Sequence, residues 1–370
     1  MMKRKIYPIF LALLLASITI QLSAQPARDG KIFDQGHGMT EKSPRAHEQL
    51  DNMKNLLGQW DVSVTVYPTD STTFSSKGIA EITYMNRGYG YMSRLHIPSF
   101  DDAGLEANLI HFLTYSPSNN TWVLGEANSY TESISMYNGD LKGGKLRLST
   151  AIRQGGGALV TSHRVAYDMK SDKKFSITQS VSTDNGKTWT PAIQQEYVRR
   201  DKQDNFMVSE HTWGEPASDR PSAADGFDFL IGEWNASHSI YLNGQWIQFP
   251  TNATAVYALN GHAILEHSWF NVDPSLPDAA TSIVRLYNRS MRRWESLYLN
   301  NRGNSPLFFG GQKEGEDVIL HSFEINSSSS VIPQYVFHNI KKNSYAWYAE
   351  NSGDRGKTFN KTWKIEFKRK

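Results

Sequence analysis

Along most of this chain apolar and polar residues alternate in short runs, each bounded by Gly, Asn, Asp or Pro. In Trp60 to Tyr67 the alternation puts Trp60, Val62, Val64 and Val66 on one face and Asp61, Ser63, Thr65 and Tyr67 on the other. A period of two is the mark of a strand with one buried face. It predicts further strands at Ile79 to Tyr84, Leu109 to Tyr115, Lys145 to Thr150, Phe175 to Val181 and Ile193 to Val198. Later come Ala253 to Ala258, Ala263 to Phe270, Ser282 to Tyr287, Arg293 to Leu299, Val318 to His321, Gln334 to His338 and Tyr345 to Glu350. Turns are expected at Asn138-Gly139-Asp140, Lys142-Gly143-Gly144, Asn243-Gly244 and Asn260-Gly261, and a hairpin tip at Gly155-Gly156-Gly157. Helical spacing stands out only at Pro44 to Leu57, where Ser43 can cap and Leu50, Met53, Leu56 and Leu57 share a face.

The pattern occurs twice. Leu57-Gly58-Gln59-Trp60 matches Ile231-Gly232-Glu233-Trp234 at an offset of 174, and Tyr115 with Trp122 matches Tyr287 with Trp294 at 172. Ser182 to Trp189 matches Ser352 to Phe359 at 170, and the closing strands ending in Arg199-Arg200 and Lys368-Arg369 keep that offset. Four matches in one order make a domain duplication, since solenoid units repeat every 20 to 50 residues or so. The expected units are residues 50–200 and 227–370, joined by a polar linker at 201–226, with a loose segment at 25–49.

Many short strands without intervening helices define an all-β protein built from two tandem antiparallel barrels or, alternatively, two β-sandwiches. The barrel is favoured because closure removes exposed edges. A short helix, an apolar pair and then Gly-x-Trp opening the first strand resemble the signature of the lipocalin-like barrels of the calycin group. Each copy is also similar to a bacterial family of domains of unknown function, bounded by Phe-Leu-x-Gly-x-Trp and Ser-x-Asp-Gly-Gly-Lys-Thr-Trp. Here those elements read Phe229-Leu230-Ile231-Gly232-Glu233-Trp234 and Ser352 to Phe359. The resemblance implies that Trp60 and Trp234 plug one end of each barrel and that the preceding glycine lets the backbone come close. It carries over no catalytic residue.

Composition narrows the class. Met1-Met2-Lys3-Arg4-Lys5, the apolar run Ile6 to Ile20 and Gln21-Leu22-Ser23-Ala24 follow the order of a secretory signal, with cleavage expected after Ala24. A secreted or periplasmic protein is therefore expected, with no integral membrane segment after cleavage, because that run is shorter than the roughly 20 residues needed to cross a bilayer. The chain has no cysteine, which leaves stability to its cores. Loss of Lys3, Arg4 and Lys5 takes the formal charge from +2 to −1, so the net charge points to neither a nucleic acid nor an anionic membrane as partner.

No motif of catalytic grade is present. The Ser-x-Asp-x-Gly-x-Thr elements at 182–188 and 352–358 match the Asp-box of sialidase propellers, but 170 residues apart they read as hairpin turns. Asp184 and Asp354 should there bond the backbone, and Gly186 and Gly356 should take positive φ. Of the histidines only His262 and His267 are near neighbours on a strand, and they fall on opposite faces, so no metal site is expected. The opening Trp60 and Tyr67-Pro68-Thr69 resemble haem-binding barrels of the nitrobindin type, yet the closing strands hold no histidine for an axial ligand, and no cofactor is expected.

What remains is a set of polar and aromatic residues in strands of the second copy: Glu266, His267, Arg285, Trp294, Tyr298, Trp347 and Glu350, with Trp269 nearby. In the first copy Ser93 and Arg94 stand at the places of Glu266 and His267, and Phe112 or Leu113 at that of Arg285. The residues set the expectation of a small hydrophobic or amphipathic ligand bound in the second barrel. Two alternatives stand beside it: a hydrolase or isomerase using Glu266 or Glu350 with Arg285 or His267, and a surface adhesion protein with filled cores.

Overall fold

The computed structural model describes residues 42–68, 73–101, 103–153, 160–201, 214–270, 279–301, 306–322 and 331–370. The expected signal segment, the first part of the lead-in, Gly155-Gly156-Gly157 and the first part of the linker lie outside the described residues.

The chain forms two closed antiparallel barrels of ten strands each, in which every strand pairs with its neighbours in sequence and the last returns to the first. The first consists of β1 Gly58–Val66, β2 Phe74–Met85, β3 Gly90–Ile97, β4 Ala107–Ser116, β5 Thr121–Asn128, β6 Ser133–Lys142, β7 Lys145–Arg153, β8 Val160–Met169, β9 Lys174–Ser182 and β10 Thr190–Arg199. The second consists of β11 Gly232–Leu242, β12 Gln245–Ala258, β13 Ala263–Phe270, β14 Ala279–Asn288, β15 Arg293–Asn300, β16 Leu307–Glu314, β17 Asp317–Ser322, β18 Ile332–Lys341, β19 Ser344–Ser352 and β20 Asn360–Arg369. Closure sets Trp60 opposite Arg199 and Trp234 opposite Arg369.

Each barrel is stoppered by a short 3-10 helix, Glu48–Leu56 or Ser222–Leu230. The first is shorter than the stretch expected from Pro44, and its cap is His47, whose Nδ1 accepts the Gln49 N–H at 3.2 Å, while Ser43 Oγ serves Arg45 in the turn before it. Leu50, Met53 and Leu56 are buried, as are Ala224, Phe227 and Leu230, and their spacing of three is the period of a 3-10 turn. The second helix begins inside the stretch expected to be linker. Arg220, just before it, is tied to Asp228 at 2.6 Å and Asp225 at 2.9 Å.

Below each helix lies the expected tryptophan. The Trp60 indole donates to the Leu56 carbonyl at 2.8 Å and Trp234 to Leu230 at 2.7 Å, and the guanidinium of Arg199 or Arg369 covers the ring at 4.2 Å. Gly232 has φ of 126°, and a Cβ there would stand 2.3 Å from the Arg369 guanidinium. The closing turns also match expectation: Asp184 and Asp354 accept from the N–H and hydroxyl of Thr188 and Thr358, and Gly186 and Gly356 have φ of 80° and 85°. Those hydrogen bonds hold both carboxyls down at about 2.

One expectation fails for a physical reason. Asn138-Gly139 is not a turn but the middle of β6, where a Cβ on Gly139 would sit 1.8 Å from the Arg147 carbonyl of β7; Gly311 in β16 repeats this close approach. The barrels are not merely tethered. Met85, Met92, Ile110, Phe112, Ala127 and Ile134 on the outside of the first pack with Val256, Leu265, Val284, Leu286, Leu297 and Leu299 on the outside of the second. Leu297 fills the space over Gly125, and Asn86 donates to the Leu299 carbonyl at 3.1 Å. Strands β3 and β5 are therefore buried on both faces, which erases the alternation that would have revealed them.

Candidate functional site

The inward positions of the second barrel do not fill it. Above the layer of Phe337 and Phe367 lies a cavity of about 400 Å³ that extends to Thr281, Asn300, Asn351 and Thr362 at the strand ends remote from the helix. Its wall is mainly apolar by surface and carries the rings of Tyr298, Phe309, Tyr335, Trp347 and Trp363. Deep in the first barrel, among the described residues, a space of about 10 Å³ lies beside Leu56, His111, Tyr167 and Ile177, which is room for about one water.

Strand registers align the two interiors position by position. Ser296 and Ala349 in the second barrel take the places of Leu124 and Gln179 in the first, and His238 that of Val64. Glu266 and Arg285 stand where the first barrel has Ser93 and Leu113, as the sequence suggests for Ser93 and for one of its two options. Ile283 and Tyr298 replace His111 and Glu126. Each interior thus carries one polar pair, at different heights.

In the second barrel Arg285 Nη1 donates to Glu266 Oε2 at 2.7 Å, with both side chains nearly sealed from solvent and the guanidinium 5.3 Å from the Phe227 ring. In the first, His111 Nε2 meets Glu126 Oε2 at 2.9 Å and Gln179 donates to the same oxygen at 3.2 Å. The lower pair in the second barrel forms the cavity's charged floor, while the pair in the first lies within packed side chains.

Of the seven residues singled out from the sequence, the structure brings Glu266, Arg285, Tyr298 and Trp347 together on the cavity wall. Trp294 lies beneath it, buried edge-on against Phe227 at 5.0 Å. His267 faces outward into the seam between the barrels. Its Nδ1 lies 3.1 Å from Ser282 Oγ, which in turn donates to Asn86 Oδ1 at 2.7 Å. Glu350 is outside the lining and opposite Lys361, next to a register shift in β19, and desolvation pushes its carboxyl up. His267 and Glu350 are thus placed away from the cavity: a strand turns successive residues to opposite sides, so Glu266 and His267 cannot both face in.

Sequence reasoning missed His238, although Trp234, Ala236 and His238 follow one alternation. His238 accepts a hydrogen bond from Trp363 Nε1–H at its Nδ1, 3.0 Å, which makes its Nε2 the donor to Thr251 Oγ1 at 2.8 Å. Burial pushes this imidazole down to about 3. Both ring nitrogens are spent, so His238 offers no lone pair to a haem iron or other metal. Among the described residues no three His, Asp or Glu side chains cluster as metal ligands, and no helix is long and apolar enough to cross a membrane.

Fold and site together define a protein of two tandem, closed, lipocalin-like barrels, the second of which encloses a cavity. Neither a known family nor a curated protein matches the chain by sequence. Among solved structures it is similar to a protein of unknown function from the DUF3598 family of Nostoc punctiforme, with 10% identity, a TM-score of 0.24, and cover of 88% of this chain and 100% of that one. The protein Rv2717c from M. tuberculosis matches 42% of this chain and 99% of its own at 10% identity and a TM-score of 0.29. A double mutant of the vaccine antigen transferrin binding protein B from Haemophilus parasuis matches 84% of this chain and 75% of its own, at 6% identity and a TM-score of 0.16. Likenesses at these scores carry no functional argument.

Proposed function

We propose that this is an exported binding protein whose second barrel holds one small apolar or amphipathic molecule while the first acts as a rigid partner. The observation that carries this reading is the cavity of about 400 Å³ inside the second barrel, with ring faces on its wall and a charged pair at its floor. Ligand pockets commonly span roughly 300–1,000 Å³ and combine an apolar lining with a few fixed polar groups. Tyr298, Tyr335, Trp347 and Trp363 supply ring faces, and Glu266 with Arg285 supplies a fixed dipole at the floor.

The hydrolase or isomerase alternative asks for a carboxylate beside Arg285, and Glu266 is one. Among the described residues it is the only acid on the cavity wall, however, and it is tied to the guanidinium, while both nitrogens of His238 are occupied. Among the described residues no second acid or base lines the cavity beside Glu266, and this favours binding over catalysis. Native mass spectrometry of the protein purified from its own source tests it. The expected spectrum shows one small adduct per chain that leaves on activation. A bare chain that also takes up no apolar compound from a mixed extract would end the proposal.

A further inference from the structure

Six of the eleven large apolar side chains left exposed among the described residues, Tyr241, Leu242, Trp246, Ile247, Val331 and Ile332, lie at the mouth end of the hollow barrel. Four of them form the tip of the β11–β12 hairpin, each between 40 and 49% exposed. Among the described residues, pairing of β11 with β20 stops at Ile240 and pairing of β12 with β13 starts at Asn252, while residues 245–251 of β12 pair with β11.

The tip is apolar on both faces. Ile240, Leu242 and Ile247 continue the inner face that carries His238 and Phe249, and on the outer face the Tyr241 ring lies tilted against that of Trp246, centroids 5.3 Å apart. A tip with two greasy faces has no side left to lay on its own barrel. The first copy has Tyr67 and Pro68 at the places of Tyr241 and Leu242, followed by Thr69-Asp70-Ser71-Thr72, so the greasy tip belongs to the hollow barrel alone.

We propose that this hairpin tip docks the protein on a lipid surface, with the cavity mouth beside the contact. Three features select lipid over a protein partner. The tip is a narrow projection of four large side chains, far short of the roughly 1,200–2,000 Å² that a stable protein interface buries, so a second copy of this chain is a poor occupant. Pro250 removes one backbone donor from β12 near the tip, which discourages strand addition. Residues 239–250 hold no acid, and two cations ride on the rings nearby: Lys364 Nζ lies 4.4 Å from the Trp246 ring and Lys361 Nζ 3.7 Å from that of Tyr348. Trp and Tyr flanked by lysines suit the boundary between headgroup phosphates and acyl chains.

The inference concerns the barrel's surface and holds whether or not the cavity is filled. Because the chain has no cysteine, a single one can be placed at will. Gln245→Cys at the tip and, as a control at the opposite end, Lys342→Cys would be labelled in the full chain with a polarity-sensitive dye and titrated with phosphatidylcholine vesicles, with and without phosphatidylglycerol. The tip dye should shift to the blue and the control dye should not, with a stronger response on the anionic vesicles. Adding Trp246→Ser and Ile247→Ser to the tip-labelled chain should raise the lipid needed for half the shift about tenfold or more. Unchanged thermal unfolding of that variant would show that its fold is intact; Leu242→Glu provides a second variant with the same expectation. A silent tip dye, an equal response at both ends, or a shift produced by protein concentration alone would overturn the proposal.

Discussion

The two barrels share an element order, a plugging helix, a buried Trp and a covering Arg, yet their inner walls differ. The difference is confined to inward positions. Leu124 and Gln179 in the first barrel become Ser296 and Ala349 in the second, and the polar pair moves from His111–Glu126 to Glu266–Arg285. The shared frame shows what stability requires, since it is repeated down to the 4.2 Å stacking of Arg199 and Arg369. The unshared wall shows what stability does not require, and that is where a functional reading belongs.

Breaking the comparison is most costly at the polar pairs. Glu266→Ala leaves a guanidinium buried without its counter-ion and should destabilise by about 3–5 kcal/mol, whereas Glu126→Ala leaves an imidazole, which needs no counter-ion when neutral, and should cost about 1–3 kcal/mol. Chemical denaturation of the two variants compares them directly. Next comes packing: Leu124→Ala in the first barrel should cost about 2–5 kcal/mol, while Ser296→Ala, at the same place beside an existing void, should cost under about 1 kcal/mol.

Acid sharpens the contrast. His238 is held at about 3 in the folded state against its ordinary 6.5. Between those values the unfolded chain takes up a proton that the folded barrel refuses, so stability falls as pH drops from about 6.5 towards about 3, by up to about 1.4 kcal/mol per pH unit. His238→Val, which installs the residue found at Val64, should flatten that slope when thermal midpoints are followed across the window. The smallest effect is a symmetry. Arg199→Ala and Arg369→Ala each lose a cation over a buried indole and should cost about 1–2 kcal/mol, by nearly equal amounts, in thermal melts.

The fold was readable because duplication and alternation point the same way: Gly-x-Trp at 58–60 and 232–234 and the Asp184 and Asp354 turns lie where the sequence places them. Strands β3 and β5 escaped notice because the seam buries their outer faces, and the seam itself is built from outward residues such as Phe112 and Leu297 that look like core residues in sequence. Half of the site was readable, since Glu266, Arg285, Tyr298 and Trp347 are unusual residues for an inner face. The rest was hidden. His267 and Glu350 have the same chemistry but the wrong parity, and no one-dimensional pattern reveals that Ser296 and Ala349 leave a void, because a void depends on what all ten strands contribute together.

The hollow interior is tested most directly by titrating a fluorescent apolar probe into three forms of the protein: the native chain, a variant with Ser296→Leu and Ala349→Gln, and one with Leu124→Ser and Gln179→Ala. The expected result is one probe per native chain, loss of binding in the first variant, and native-like uptake at the second barrel in the other. Equal binding in the native chain and the Ser296→Leu, Ala349→Gln variant, with both folded, would contradict a functional cavity in the second barrel.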